Sequence, residues 1–104
     1  MSLSTVFFAE RFWCPLEIGD RVARLTPSGE LDISTAPMFS EALRHAQAHA
    51  DLIVLDLAQL EFMDASGARL LADASRRARW NGGRMLLQAV PDRVDRLLRL
   101  VATT

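Results

Sequence analysis

Lysine is missing from this chain, and cysteine occurs once, at Cys14. Without lysine there is no Schiff base and no catalytic-lysine mechanism, and every basic side chain is an arginine. The lone cysteine has no partner for an internal disulfide, and with no partner cysteines or histidine cluster a zinc site is not expected. Neither sign of charge is in excess: the formal net charge of −1 leaves no basic footprint for nucleic acid or for an anionic membrane. No apolar run reaches the length of a membrane span, and the N-terminus lacks the long apolar region of a signal peptide. These absences point to a cytoplasmic protein with no nucleic-acid or membrane partner, no metal and no cofactor. At 104 residues, 50% of them apolar and 24% charged, the chain reads as one domain, residues 1–104, with a single modest core.

What the chain does have is concentrated in residues 51–71, DLIVLDLAQLEFMDASGARLL. Residues 52–57 are a short apolar run containing β-branched Ile53 and Val54, which suits a strand buried on both faces. After Asp64-Ala65-Ser66-Gly67 the apolar spacing becomes helical. Gly67, Leu70, Leu71, Ala74 and Ala78 fall on one side, while Arg69, Asp73, Arg76 and Arg79 fall on the other. The chain thus leaves a buried strand and enters a helix through a polar turn holding one hydroxyl, Ser66. Free backbone N–H groups and the positive end of the helix dipole meet at such a turn, a natural place for a phosphate.

Taken in order, residues 4–13 form an aromatic-rich extended segment with both faces partly apolar, ended by Cys14-Pro15. It reads as an edge strand with extra packing, or as a contact surface for a partner or for a second copy in a homodimer. A turn at Gly19-Asp20 precedes a strand over 21–26. Ser34 or Thr35 then caps a helix that carries Phe39, Ala42, Leu43, Ala46 and Ala50 on one face. Asn81-Gly82-Gly83 stops the second helix, residues 84–90 make another apolar strand, and Val94, Leu97, Leu98 and Val101 have the spacing of a last helix. Strand–helix–strand units favour parallel pairing with right-handed crossovers. The expected fold is α/β, a mixed, mostly parallel sheet with helices packed on one side and an antiparallel N-terminal edge.

Several residues have two readings. Asp64 and Ser66 are acceptable helix caps, and a capping hydroxyl would have to swing out to be modified. Gly67 has no side chain and could admit a partner's active site close to the serine. Glu30 and Asp32 form a solvated acidic turn, of interest because parallel strands would bring them to the same sheet end as residues 64–67. His45 and His49 lie one helical turn apart, but with no third ligand in view they read as surface histidines. Nucleophilic catalysis lacks a G-x-S-x-G elbow and an aimed base, and no phosphate loop of the G-x-x-x-x-G-K-[ST] type exists.

From about residue 25 to 100 the sequence resembles a STAS domain of the bacterial anti-sigma-factor antagonist family. Ser28-Gly29-Glu30-Leu31-Asp32 with Thr35-Ala36 is similar to that family's G-E-L-D-x-x-T-A signature. Leu55-Asp56-Leu57 through Asp64-Ala65-Ser66-Gly67 resembles its strand followed by D-[SA]-[ST]-G, and residues 83–98 resemble its last strand and helix. The resemblance implies a non-enzymatic switch in which the serine at Ser66 is phosphorylated by a partner that is both an ATP-binding serine kinase and an anti-sigma factor. The unmodified form holds that partner and frees the sigma factor for transcription, and a phosphatase resets the cycle. Asp64, Ala65 and Gly67 form the phosphosite loop in this reading, and Glu30, Asp32, Arg69, Asp73 and Arg76 are expected partner contacts. Ala65 departs from the second serine of many members, leaving Ser66 as the only hydroxyl in the loop. The alternative is a STAS module that works without phosphorylation, binding a small ligand or acting as a scaffold in a sensor or transporter assembly.

Overall fold

The computed structural model describes residues 2–102, and the chain opens with a hairpin. β1 (Ser2–Ala9) turns through Glu10 and Arg11 into β2 (Phe12–Gly19), with every residue of β1 in register against β2. This corrects the single extended segment expected over 4–13. Alternating aromatics hide the bend, and Arg11 makes it by adopting a φ of 68°. Nor does Pro15 end the strand. β2 pairs with β4 (Ser28–Leu31) at Phe12 and Trp13 and with β3 (Val22–Leu25) from Leu16 onward. Cys14 and Pro15 sit between those two ladders, where a missing N–H breaks no pairing on that side.

α1 (Ala36–His49) follows, then β5 (Leu52–Asp56), β6 (Leu60–Met63), α2 (Ala65–Trp80), β7 (Arg84–Gln88) and α3 (Asp92–Ala102). β3, β5 and β7 are parallel neighbours, as are β4 and β6, and the hairpin supplies the antiparallel part of a seven-stranded sheet. β4 and β6 escape a reading of the sequence because each is four residues long and finds its partner far along the chain. A register shift between Gly29 and Glu30 further blurs their alternation.

One face of the sheet carries Phe12, Cys14, Leu16, Ile18, Ala23, Leu25, Ile53 and Leu55, all buried beneath the helices. α1 covers β1, β2 and β3, while α2 lies over β6 and β7 and packs against both other helices. α1 contributes Phe39, Ala42, Leu43 and Ala46 to the core, the face that the apolar spacing predicts. α2 contributes Gly67, Ala68, Leu71, Ala74 and Ala78, so Ala68 joins the expected set while Leu70 is only half-buried. Burying such side chains at roughly 25 cal/mol per Å² of apolar area is the main force holding sheet and helices together. Among the described residues, no helix is long and apolar enough to cross a membrane.

Candidate functional site

The acidic turn and the serine turn meet at one end of the sheet because β4 and β6 run in parallel, with Leu31 opposite Met63. Asp64 N–H donates to the Leu31 carbonyl at 3.1 Å, tying the two turns directly. Gly67 faces the same strand. A Cβ there would lie 2.8 Å from Leu31 Cγ and 3.1 Å from Leu31 O. The glycine is therefore explained by close packing of α2 on β4, and it is buried rather than open to a partner.

Asp64 is the N-cap of α2: its Oδ1 accepts from Ser66 N–H at 2.9 Å and from Gly67 N–H at 3.2 Å. The capping task thus falls to the aspartate alone. Ser66 Oγ makes no hydrogen bond among the described residues, and the serine is half-buried in the first turn. Beside it runs a shallow groove of about 300 Å³ lined by Ser40, Ser66, Arg69, Leu70, Asp73 and Arg77. Arg69, Asp73 and Arg76 are exposed on α2 as expected, with Arg76 paired to Asp73. Ser40 and Arg77 were not legible as groove residues, because the first comes from α1 and the second lies eleven positions beyond the serine.

The acidic turn is built around Asp32. Its Oδ1 accepts from Ser34 Oγ at 2.7 Å, Ser34 N–H at 2.9 Å and Thr35 N–H at 3.1 Å. The Ser34 hydroxyl, with smaller help from the Thr35 and Ser34 N–H groups and from Arg11, holds the Asp32 carboxyl below the usual carboxylate range. Thr35 is the N-cap of α1 by position but makes no side-chain cap bond. Its buried hydroxyl instead donates to Glu30 O at 2.8 Å and accepts from Asp32 N–H at 3.0 Å, stapling the turn to the end of β4.

Sequence reasoning missed Arg11. From the hairpin turn it reaches Glu30 Oε1 at 3.2 Å and Asp32 Oδ2 at 3.6 Å, and its carbonyl accepts from Glu30 N–H at 2.8 Å. Gly29, at φ +91°, makes room for that approach, since a Cβ there would fall 2.2 Å from Arg11 O. Two apolar side chains were missed as well: Ile33, 77% exposed within the acidic turn, and exposed Phe62, opposite Glu30 in the register. An isoleucine in an otherwise polar turn was the one available signal. Together the turns present acidic side chains, a free hydroxyl, an arginine-bearing helix and two exposed apolar side chains at one end of the sheet.

His45 and His49 lie away from this end. Their rings stack at 4.9 Å, and His49 Nδ1–H donates to the His45 carbonyl at 3.0 Å. Among the described residues no group of three His, Cys, Asp or Glu side chains is placed to hold a metal.

Among curated proteins, none matches the chain by sequence. Solved structures do. An anti-sigma factor antagonist from Mycobacterium paratuberculosis superposes with a TM-score of 0.77 at 25% identity, covering 92% of this chain and 82% of that one. A serine-to-glutamate variant of RsbS from Moorella thermoacetica superposes at 0.71 with 26% identity, over 85% of this chain and 76% of its own. The phosphorylated form of the Bacillus cell fate determinant SpoIIAA shares the fold at 0.71 and 22% identity, over 86% of each chain. The family described as Mlab, STAS domain, matches residues 14–103. With that match spanning most of β2, the strands from β3 to β7, all three helices and the Ser66 turn, the chain belongs to the STAS-domain family.

Proposed function

We propose that this STAS domain is an anti-sigma-factor antagonist switched by phosphorylation of Ser66. The observation that carries the reading is the division of labour at the start of α2, where Asp64 caps the helix and leaves the Ser66 hydroxyl without a hydrogen bond among the described residues. The likeness to the Mycobacterium antagonist supports it. The partner is an anti-sigma factor that is also a serine kinase and brings the bound ATP. In the transfer, Ser66 Oγ forms a bond to the γ-phosphorus as the bond to the ADP oxygen breaks, and the hydroxyl proton passes to a base on the partner. The domain itself is a cytoplasmic binding module rather than an enzyme, and a phosphatase removes the group.

Glu30, Asp32, Ile33 and Phe62 form the partner-facing patch, extended by Arg69, Asp73 and Arg76 on α2. A phosphate adds about −1.5 to −2 charges next to Asp64, where it faces the phosphates of the partner's bound nucleotide, and like charge together with desolvation weakens the interface. The helix N-terminus meanwhile tolerates the charge without unfolding. The test is to copurify the native partner, add Mg-ATP and map the modified residue by mass spectrometry. Phosphate on Ser66 in the wild type and none in Ser66→Ala is the expected result; phosphate on another residue, or a partner without ATP, overturns the reading.

A second reading is a STAS module that serves as a scaffold or ligand binder without phosphorylation. It is favoured by the description of the matched family, which is Mlab rather than an antagonist.

A further inference from the structure

Among the described residues β1 pairs with β2 alone, which leaves its outer edge open over eight residues. Every second residue along it turns its N–H and C=O away from β2, in the pattern a further strand needs. Sheet edges are ordinarily guarded by charge, proline, a bulge or short length. β1 has none of these: its sequence SLSTVFFA is uncharged and lacks proline, and its register with β2 is continuous. Every other described strand carries a charge, at Glu17, Arg24, Glu30, Asp56, Glu61 and Arg84. The other end strands, β6 and β7, are also only four and five residues long.

We propose that β1 pairs antiparallel with β1 of a second copy about a two-fold axis at Val6, joining two sheets into one. Two features select a second copy as the occupant. In such a pairing, residues at and near the axis face their own counterparts, so any charge there would meet its like, and the strand has none. The residues on the helix-free face also run from small to large, Ser2 and Ser4 and then Val6 and Phe8. The antiparallel arrangement sets Phe8 beside Ser4 of the second copy, giving the ring space. Phe8 is 63% exposed and stacks at 5.8 Å on Trp13, itself 51% exposed, so this face holds an aromatic pair that water covers in the single chain. On the opposite face Phe7 rests on His45 of α1, with ring centroids 6.0 Å apart, which holds the edge in place before any pairing.

Charge swapping at the axis tests this. Sedimentation equilibrium should give the wild type twice the 11.6 kDa chain mass as concentration rises. Val6→Lys sets two like charges face to face and should weaken pairing about a hundredfold or more. Val6→Glu should do the same, and an equimolar mixture of the two variants should recover the doubled mass. That recovery also shows that both variants fold, as circular dichroism will check for each alone. In the wild type, alternate β1 amides should exchange slowly when concentrated and quickly when dilute. A wild type that stays at the single-chain mass at all concentrations overturns the proposal and leaves the edge for a different protein. So does a Val6→Lys variant that still dimerises, or a mixture that fails to recover. None of these outcomes depends on whether Ser66 is phosphorylated, and Ser66→Ala should leave the dimer unchanged.

Discussion

Asp64 and Ser66 sit two positions apart, and only the Asp64 side chain takes part in capping the helix. The aspartate carboxylate is held by the helix, accepting from two N–H groups, while the Ser66 hydroxyl makes no hydrogen bond among the described residues. Asp64→Ala should therefore cost about 1 kcal/mol of stability, the usual worth of an N-cap, as read from urea unfolding. Ser66→Ala should cost almost nothing in the same assay; a loss as large as that of Asp64→Ala would mean the hydroxyl has a structural task. Gly67→Ala is expected to lose about 1–3 kcal/mol, because the new methyl group would press on Leu31, which has no solvent to move into. At Cys14, burial pushes the thiol from its ordinary 9.0 up to about 12, against a smaller opposing effect of hydrogen bonding with the Thr26 backbone. The folded value lies above the unfolded one, so this contribution to stability is complete below pH 9.0 and is lost as pH rises toward about 12. Cys14→Ala should be less stable overall but flatter across that range, and a wild-type thiol that reacts readily with iodoacetamide at pH 8 would contradict the burial.

Among the elements, the helices were legible and the sheet was only half so. A 3.6-residue period survives in any window that contains α1 or α2, since the apolar stripe is a property of the segment itself. A four-residue strand has room for only two inward residues, and β4 and β6 are defined by pairing with each other across the whole of α1 and β5. The same distance hid Arg11. Nothing in the aromatic segment shows that its turn will return to the acidic residues of a later strand, yet Arg11 ties the hairpin turn to Glu30 and Asp32. The serine turn was legible for the opposite reason, because strand, cap, hydroxyl and helix follow one another within a few residues. The acidic turn offers a check on how it is held. Since the Ser34 hydroxyl is the main cause of the lowered Asp32 carboxyl and Arg11 the least, Ser34→Ala should raise its titration by NMR clearly more than Arg11→Ala does. The reverse order would show that the hairpin, rather than the turn's own hydrogen bonds, controls the acid. Because the Asp32 value is depressed on folding, the associated stability is present above the ordinary carboxylate range and is lost as pH falls through the lowered value.

The whole molecule separates what keeps it folded from what its partner would read. The core lies between one sheet face and the helices, while the turns at the sheet end hang from it through β4, β6 and the start of α2. Charge added at Ser66 therefore meets a helix N-terminus, which stabilises anions by about 0.3–1 kcal/mol, and does not enter the core. At the proposed partner surface the same charge stands beside Asp64 and faces the phosphates of the partner's nucleotide, which repel it. Ser66→Asp and Ser66→Ala should thus unfold within about 0.5 kcal/mol of the wild type, as surface changes away from packed features do. Only the aspartate variant should lose its copurified partner, by about tenfold or more in calorimetric titration, since it brings roughly half the charge of a phosphate. Raising the salt concentration should narrow the gap between the two variants, because the repulsion acts through exposed groups and is screened within about 10 Å at 0.1 M. Equal affinities at low salt would leave the phosphorylation switch without a mechanism at this surface and favour the scaffold reading. A gap that ignores salt would instead place the effect in a lost contact of the serine itself, and the hydroxyl would then be part of the interface rather than the switch upon it.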